Sequence, residues 1–130
     1  MSNDDRATGP APHAFKASVG GYMGPSYRLE LSGPALRYAS SPHRYEFDQE
    51  DVLTISPSAW ARFATQLDEL MVWSWAGSYV DEDVLDGTSW EVVIHWGERR
   101  LESSGSNAFP PSWDGFCDAV VQLLEGREFQ

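Results

Sequence analysis

Four carboxylates lie close together in the segment YVDEDVLDGTSW, residues 79–90, at Asp81, Glu82, Asp83 and Asp86. Clustered carboxylates can ligate a metal ion, or they can attract a basic protein surface. A calcium loop of the EF-hand type needs acidic ligands at positions 1, 3 and 5, glycine at position 6 and glutamate at position 12. Counted from Asp81, an aspartate is sixth, glycine is seventh and valine is twelfth. The sequence therefore predicts no metal site in this segment.

Two of these residues have a local explanation, because Asp86 and Gly87 form a turn dipeptide that tolerates positive φ directly before a strand. The other acids repel one another unless they face solvent or a cationic partner. Two aromatic residues precede them outside any regular apolar pattern, and aromatic residues are enriched among interface anchors. The pattern predicts a partner-binding surface made of Asp81, Glu82, Asp83, Asp86, Trp75 and Tyr79.

A second candidate site is the Ser/Gly loop SSGSNAF, residues 103–109, which precedes a predicted helix. Free amides and the helix dipole at a helix N-terminus can bind an anion. No lysine follows the loop, so it is not a P-loop, and a plain strand-to-helix connection is the competing interpretation. The alternative prediction is a small-ligand or anion site at Ser104, Gly105, Ser106 and Asn107.

No grouping of residues indicates catalysis. His13, His43 and His95 lie on different predicted segments, and the single cysteine, Cys117, lies beside the apolar face of a predicted helix. The motifs GxSxG, HExxH and CxxC are absent from the sequence. We therefore expect a protein that is not an enzyme and that uses no cofactor.

The charge balance favours one class of partner. Twenty Asp and Glu against nine Lys and Arg give a formal net charge of −11 over 130 residues. Such a surface repels nucleic acid and anionic membranes, so we expect neither as a partner and predict a basic protein instead. Solubility alone is the competing explanation of the acidity. With no long apolar run, an acidic N-terminus and one cysteine, the chain is expected to be cytoplasmic.

The chain has the length of one domain, with residues 1–13 as a flexible polar leader and residues 14–130 as the domain. Alternating apolar and polar residues predict a β-hairpin over 26–40, a partner strand before it, and a second hairpin over 88–103. The acids Glu46, Asp48, Glu50 and Asp51 indicate a solvated loop.

Helical spacing of apolar residues predicts one helix over 57–71, started by Ser56 and Pro57, and a second from Trp113 to a cap at Gly126. The segregation of strands and helices predicts an α+β fold, in which two amphipathic helices pack on one face of an antiparallel sheet built from β-hairpins.

The segments DGTSWEVVI and SSGSNAFPPSWDGF resemble a recurring pattern in small bacterial proteins, in which a DGTxW strand precedes an SGSNAxPP loop that opens the last helix. The resemblance extends over residues 24–125 and implies no activity. In size, acidity and α+β build the chain is also similar to bacterial toxin-immunity proteins. That likeness of character implies an immunity-type inhibitor of a basic toxin or effector, and it assigns no binding residue.

Overall fold

The computed structural model describes residues 11–21, 25–41, 49–81 and 87–130. These residues form seven strands, two α-helices and a 3₁₀ turn at Val72–Ser74. The strands are β1 (Ala14–Gly21), β2 (Ser26–Ser32), β3 (Ala35–Ser41), β4 (Gln49–Thr54), β5 (Ser78–Val80), β6 (Thr88–Trp96) and β7 (Arg99–Ser106). The helices are α1 (Pro57–Leu70) and α2 (Trp113–Leu123).

The strands form one sheet in the order β4-β3-β2-β1-β6-β7-β5. All neighbours pair antiparallel except β5 and β7, which run parallel. Both predicted hairpins are present, and glycines with φ near 60° turn them at Gly33 and Gly97. The predicted α+β class is confirmed.

Both helices pack on one face of this sheet. From α1, the ring of Trp60 meets the ring of Trp96 edge-on at a centroid distance of 5.8 Å. From α2, the ring centroid of Trp113 lies 4.7 Å from that of Trp90. Each helix thus meets the inward-facing side chains of β6, a strand that alternates buried and more accessible residues along its length.

The opposite face of the sheet has no helix over it among the described residues, and its charges alternate in sign from strand to strand. Register places Arg37 of β3 opposite Glu30 of β2, and Glu30 opposite Lys16 of β1. Opposite charges on adjacent strands stabilise such a face. Its exposed charged residues balance, with Lys16, Arg28, Arg37 and Arg100 against Glu30, Glu50, Glu91 and Glu102.

The acidic loop predicted around residues 46–51 is wrong at its C-terminal end, because Glu50 and Asp51 lie in strand β4. Asp51 points to the helix side, where one carboxylate oxygen accepts a hydrogen bond from Arg127 Nε at 2.8 Å. Glu46 and Asp48 lie outside the described residues. Pairing with β3 and neutralisation by Arg127 therefore outweigh the local acidity.

The segment after α2 packs on the sheet although it has no regular secondary structure. Phe129 is fully buried, and the hydroxyl of Tyr38 donates to the carbonyl oxygen of Glu128 at 2.7 Å. The hydroxyl of Tyr27 donates to a carboxylate oxygen of Glu128 at 3.4 Å. Burial, first, and then the Glu128 carboxylate raise the pKa of Tyr27, while burial is the main cause of the raised pKa of Tyr38.

At the N-terminal side, residues 11–13 contact the domain. Pro12 is buried, and the backbone amide of His13 donates to the carbonyl oxygen of His95 at 2.8 Å. Residues 1–10 lie outside the described residues.

Candidate functional site

The predicted acidic surface begins at one edge of the sheet. Asp81 directly follows β5, and its backbone amide donates to the carbonyl oxygen of Ser106 at 3.0 Å. Glu82, Asp83 and Asp86 lie outside the described residues. The first of the four acids is therefore held in place by the backbone of β7, at the end of the edge strand.

The segment returns to the sheet close to the point where it left it. Gly87 lies against the side chain of Asn107, so that a Cβ atom at Gly87 would overlap the Asn107 amide. The backbone amide of Asn107 donates to the carbonyl oxygen of Thr88 at 2.8 Å. Both flanks of the acidic segment are thus fixed at the end of β7.

Trp75, predicted as an apolar anchor, is half-buried in an aromatic cluster. Its indole nitrogen donates to Ser112 Oγ at 3.0 Å, so its polar atom is satisfied within the protein. Its ring lies 5.4–6.1 Å, between centroids, from the rings of Phe116, Trp90 and Trp113. Packing accounts for this residue, and a role in partner binding stays a prediction.

Tyr79, the other predicted anchor, is also half-buried. Its ring lies 6.0 Å from the ring of Trp90, and its hydroxyl oxygen accepts a hydrogen bond from the amide of Ala76 at 2.9 Å. Tyr79 therefore stabilises the chain before β5 and places that short strand against the core, while its role as an anchor stays a prediction.

Two apolar side chains near the acidic segment are exposed, and sequence reasoning missed both. Val80 of β5 is 56% exposed on the side of the sheet away from the helices. Phe109 is 40% exposed, with its ring stacked on that of Trp90 at 6.4 Å. The position of Val80 directly before Asp81 could have indicated that it is exposed. It was missed because β5 has only three residues, too few to show an alternating pattern.

The Ser/Gly loop predicted over 103–109 is wrong over residues 103–106, because β7 continues through Ser104, Gly105 and Ser106. Residues 107–109 do lie outside helix and strand. The strand pairs with β6 on one side and with β5 on the other. The amide of Ser104 donates to the carbonyl oxygen of Gly77 at 3.1 Å, and the amide of Asn107 is bonded to Thr88 as described above. These two amides are committed to the sheet, which weakens the case for an anion site built on them.

Gly105 is explained by the close approach of an indole ring. A Cβ atom at this position would lie 2.6 Å from Cε2 of Trp90 and 2.8 Å from the carbonyl oxygen of Ala108. The Trp90 indole nitrogen donates to that same oxygen at 2.9 Å. Glycine is required so that Trp90 can cross β7 and reach Ala108.

The N-terminal end of α2 is joined to the C-terminal end of α1. Ser112 Oγ donates to the carbonyl oxygen of Leu70 at 2.8 Å rather than capping its own helix. Further along, the amide of Gln66 bonds the side-chain oxygen of Gln122 at 3.0 Å. These contacts orient the helices antiparallel and leave no unoccupied Ser112 hydroxyl for a ligand.

The single cysteine, Cys117, is buried in the core. Burial raises the pKa of the Cys117 thiol to about 12, with smaller contributions from Asp114 and Asp118, so the thiol is protonated at neutral pH. Within 11–21, 25–41, 49–81 and 87–130, no three His, Cys, Asp or Glu side chains group closely enough to hold a metal ion.

Two surface cavities lie away from both predicted sites. One, of about 140 Å³, lies over β2, β3 and β4 and is lined by residues that include Arg28, Arg37 and Glu50. The other, of about 370 Å³, is bounded by Pro25, Tyr27, Ser40, Ser41 and Glu128. Neither cavity includes a residue of 103–109.

Among the described residues no helix has the length and apolar character needed to cross a membrane. No protein-family model matches the chain, and no curated protein matches it significantly.

Proposed function

We propose that the protein is a non-enzymatic interaction module of the immunity type, which acts in the cytoplasm by binding a basic toxin or effector protein. The proposed binding surface is the acidic segment with Asp81, Glu82, Asp83 and Asp86, together with Val80 of the edge strand β5 that precedes it. The observation that carries the proposal is the backbone hydrogen bond that holds Asp81 to Ser106 at the end of β5.

The distribution of charge supports this choice of surface. Among the described residues, the sheet face opposite the helices carries equal numbers of exposed positive and negative side chains. The four acids of residues 81–86, by contrast, are not accompanied by any Lys or Arg in that segment. A local excess of one sign steers an oppositely charged partner and increases its association rate.

An apolar contact beside the acids supports binding as well as steering. Val80 is exposed next to Asp81, on a strand that lies at the edge of the sheet. Interfaces combine a desolvated apolar centre with a charged rim, since the apolar burial supplies affinity and the charges supply specificity. In the proposal Val80 is the apolar contact, while Trp75 and Tyr79 support it from within the aromatic cluster.

The test compares two variants that carry the same net charge. The first, called the edge variant, replaces the four acids of residues 81–86, as Asp81→Asn, Glu82→Gln, Asp83→Asn and Asp86→Asn. The control replaces four exposed acids elsewhere, as Glu69→Gln, Glu98→Gln, Asp118→Asn and Glu125→Gln. Both raise the formal net charge from −11 to −7. The partner is first captured from the native host, identified and purified, and association rates are then measured by surface plasmon resonance at several salt concentrations.

We expect the edge variant to lose at least about tenfold in association rate and most of its salt dependence, because steering is local. The control variant should lose no more than about threefold, because its charges lie outside the interface. Equal losses in the two variants would show that net charge alone acts, and a captured partner that is not basic would contradict the proposal.

A further inference from the structure

We propose that strand β4, at the other edge of the sheet, pairs with β4 of a second copy of the chain in an antiparallel, two-fold arrangement. Strand β4 is the terminal strand of the sheet, and it pairs with β3 from Ala35↔Thr54 to Ser40↔Gln49. No strand of the described residues pairs with its other side. A free strand edge offers backbone amides and carbonyls to another chain.

Of the features that block such pairing, β4 has neither a proline nor a bulge, although Glu50 places one exposed charge on it. The register of its six residues with β3 is continuous. An inward-pointing charge can also protect an edge, but the inward charge here, Asp51, is neutralised by Arg127. The opposite edge is different, because β5 has three residues and leads directly into acids that would repel those of a second copy.

The side chains of β4 are complementary to themselves in one register. Val52, at the middle of the strand, is 69% exposed, more than any other exposed large hydrophobic residue among those described. If Val52 faces Val52 of the second copy, Glu50 faces Thr54 and Asp51 faces Leu53. The two valines then bury each other and no like charges lie opposite one another.

The dimer and the complex with a basic partner should respond oppositely to salt. Two copies that each carry −11 repel, so screening by salt should strengthen the dimer. Screening should weaken the steering of a basic partner by the acids. The two proposals use different edges of the sheet, and neither depends on the other.

The first test is sedimentation equilibrium of the full chain at several concentrations and salt levels, with circular dichroism to check folding. We expect a dimer whose Kd rises at least about tenfold in the variant Val52→Lys, because charge repulsion replaces apolar contact at the two-fold axis. The matched control is Val80→Lys, which changes an exposed valine on the opposite edge and should leave the Kd unchanged.

The second test uses disulfide cross-linking to measure the register in which the two β4 strands pair. Directly opposed residues on antiparallel strands have Cα atoms about 4.5–5.5 Å apart, within the range of about 4.4–6.8 Å found across disulfides. With oxidised glutathione as oxidant, Val52→Cys should form a cross-linked dimer, whereas Val80→Cys should not. Cys117 does not interfere, because its thiol is buried and protonated.

A chain that stays monomeric up to about 1 mM overturns the proposal. It is also overturned by a dimer that Val52→Lys leaves intact, or by equal cross-linking of the two cysteine variants.

Discussion

At the scale of single residues, Gly105 shows how tightly the edge near the acids is packed. The indole of Trp90 passes over this residue to donate a hydrogen bond to Ala108. A side chain here would displace the ring, and with it the contacts to Tyr79 and Phe109. The packing of Tyr79, two residues before Asp81, therefore depends on a residue that carries no side chain.

We expect Gly105→Ala to reduce the free energy of unfolding by about 2–3 kcal/mol, because the added Cβ atom overlaps Trp90 and Ala108. The measurement is urea unfolding followed by tryptophan fluorescence. Gly77→Ala is the matched control, since a Cβ atom there lies 3.8 Å from its nearest neighbour, the carbonyl oxygen of Glu102. An effect of the same size in both variants would contradict the steric explanation.

At the scale of elements, the segment after α2 stabilises the sheet through the buried ring of Phe129 and through hydrogen bonds. Phe129 is fully buried and its ring lies 6.5 Å from that of Tyr27 on β2. Nearby, Arg127 bonds Asp51 of β4 and Glu128 accepts a hydrogen bond from Tyr38 of β3. A segment without helix or strand thus contacts three strands.

Phe129→Ala should reduce the free energy of unfolding by about 3–5 kcal/mol, the cost of removing a buried phenyl ring. Phe109→Ala removes the same ring from a site that is 40% exposed and should cost only about 1–2 kcal/mol. Thermal and urea unfolding of both variants provide the comparison. Equal losses would mean that the segment after α2 contributes little to the core.

The elements that were predicted from the sequence are those in which apolar residues recur at a regular spacing. Strand β6 alternates over nine residues, and α1 has a capping serine whose Oγ accepts from the Ala59 amide at 3.1 Å. Strand β5 was missed because three residues show no period and pair only with a distant strand. The end of β7 was missed because serine and glycine favour loops, while pairing on both sides overrides that preference.

The residues of the candidate site could be predicted from the sequence, but their place in the fold could not. The acids could be read from the sequence, whereas the bond from Asp81 to Ser106 depends on parallel pairing between segments far apart in the chain. The packing of Trp75 was hidden for the same reason, since its partners Trp90 and Trp113 come from β6 and α2.

At the scale of the whole molecule, the net charge opposes folding. The chain carries −11, and the ion pairs of the described residues involve partly exposed groups that contribute little stability. Repulsion between the remaining acids is long-ranged and is reduced by salt.

Raising NaCl from about 10 mM to about 500 mM should stabilise the protein by about 1 kcal/mol, which corresponds to a rise in Tm of roughly 3–5 °C. Differential scanning calorimetry at low protein concentration measures this effect. The variant with Gln or Asn at residues 69, 98, 118 and 125 should respond less, because it carries four fewer negative charges. A Tm that falls with salt would indicate that specific ion pairs outweigh the repulsion.

The strand order also has a consequence for how the chain folds. Strand β1, the first of the described strands, lies in the middle of the sheet between β2 and β6, and Ala14 pairs with His95. The hairpin β2–β3 can form early because its strands are adjacent in sequence. The central pair β1–β6 forms only when two strands that are separated in sequence by β2, β3, β4 and α1 come together. Such non-local pairing carries a large loop-closure cost, so folding should take milliseconds to seconds, and β1–β6 docking is the step expected to limit its rate.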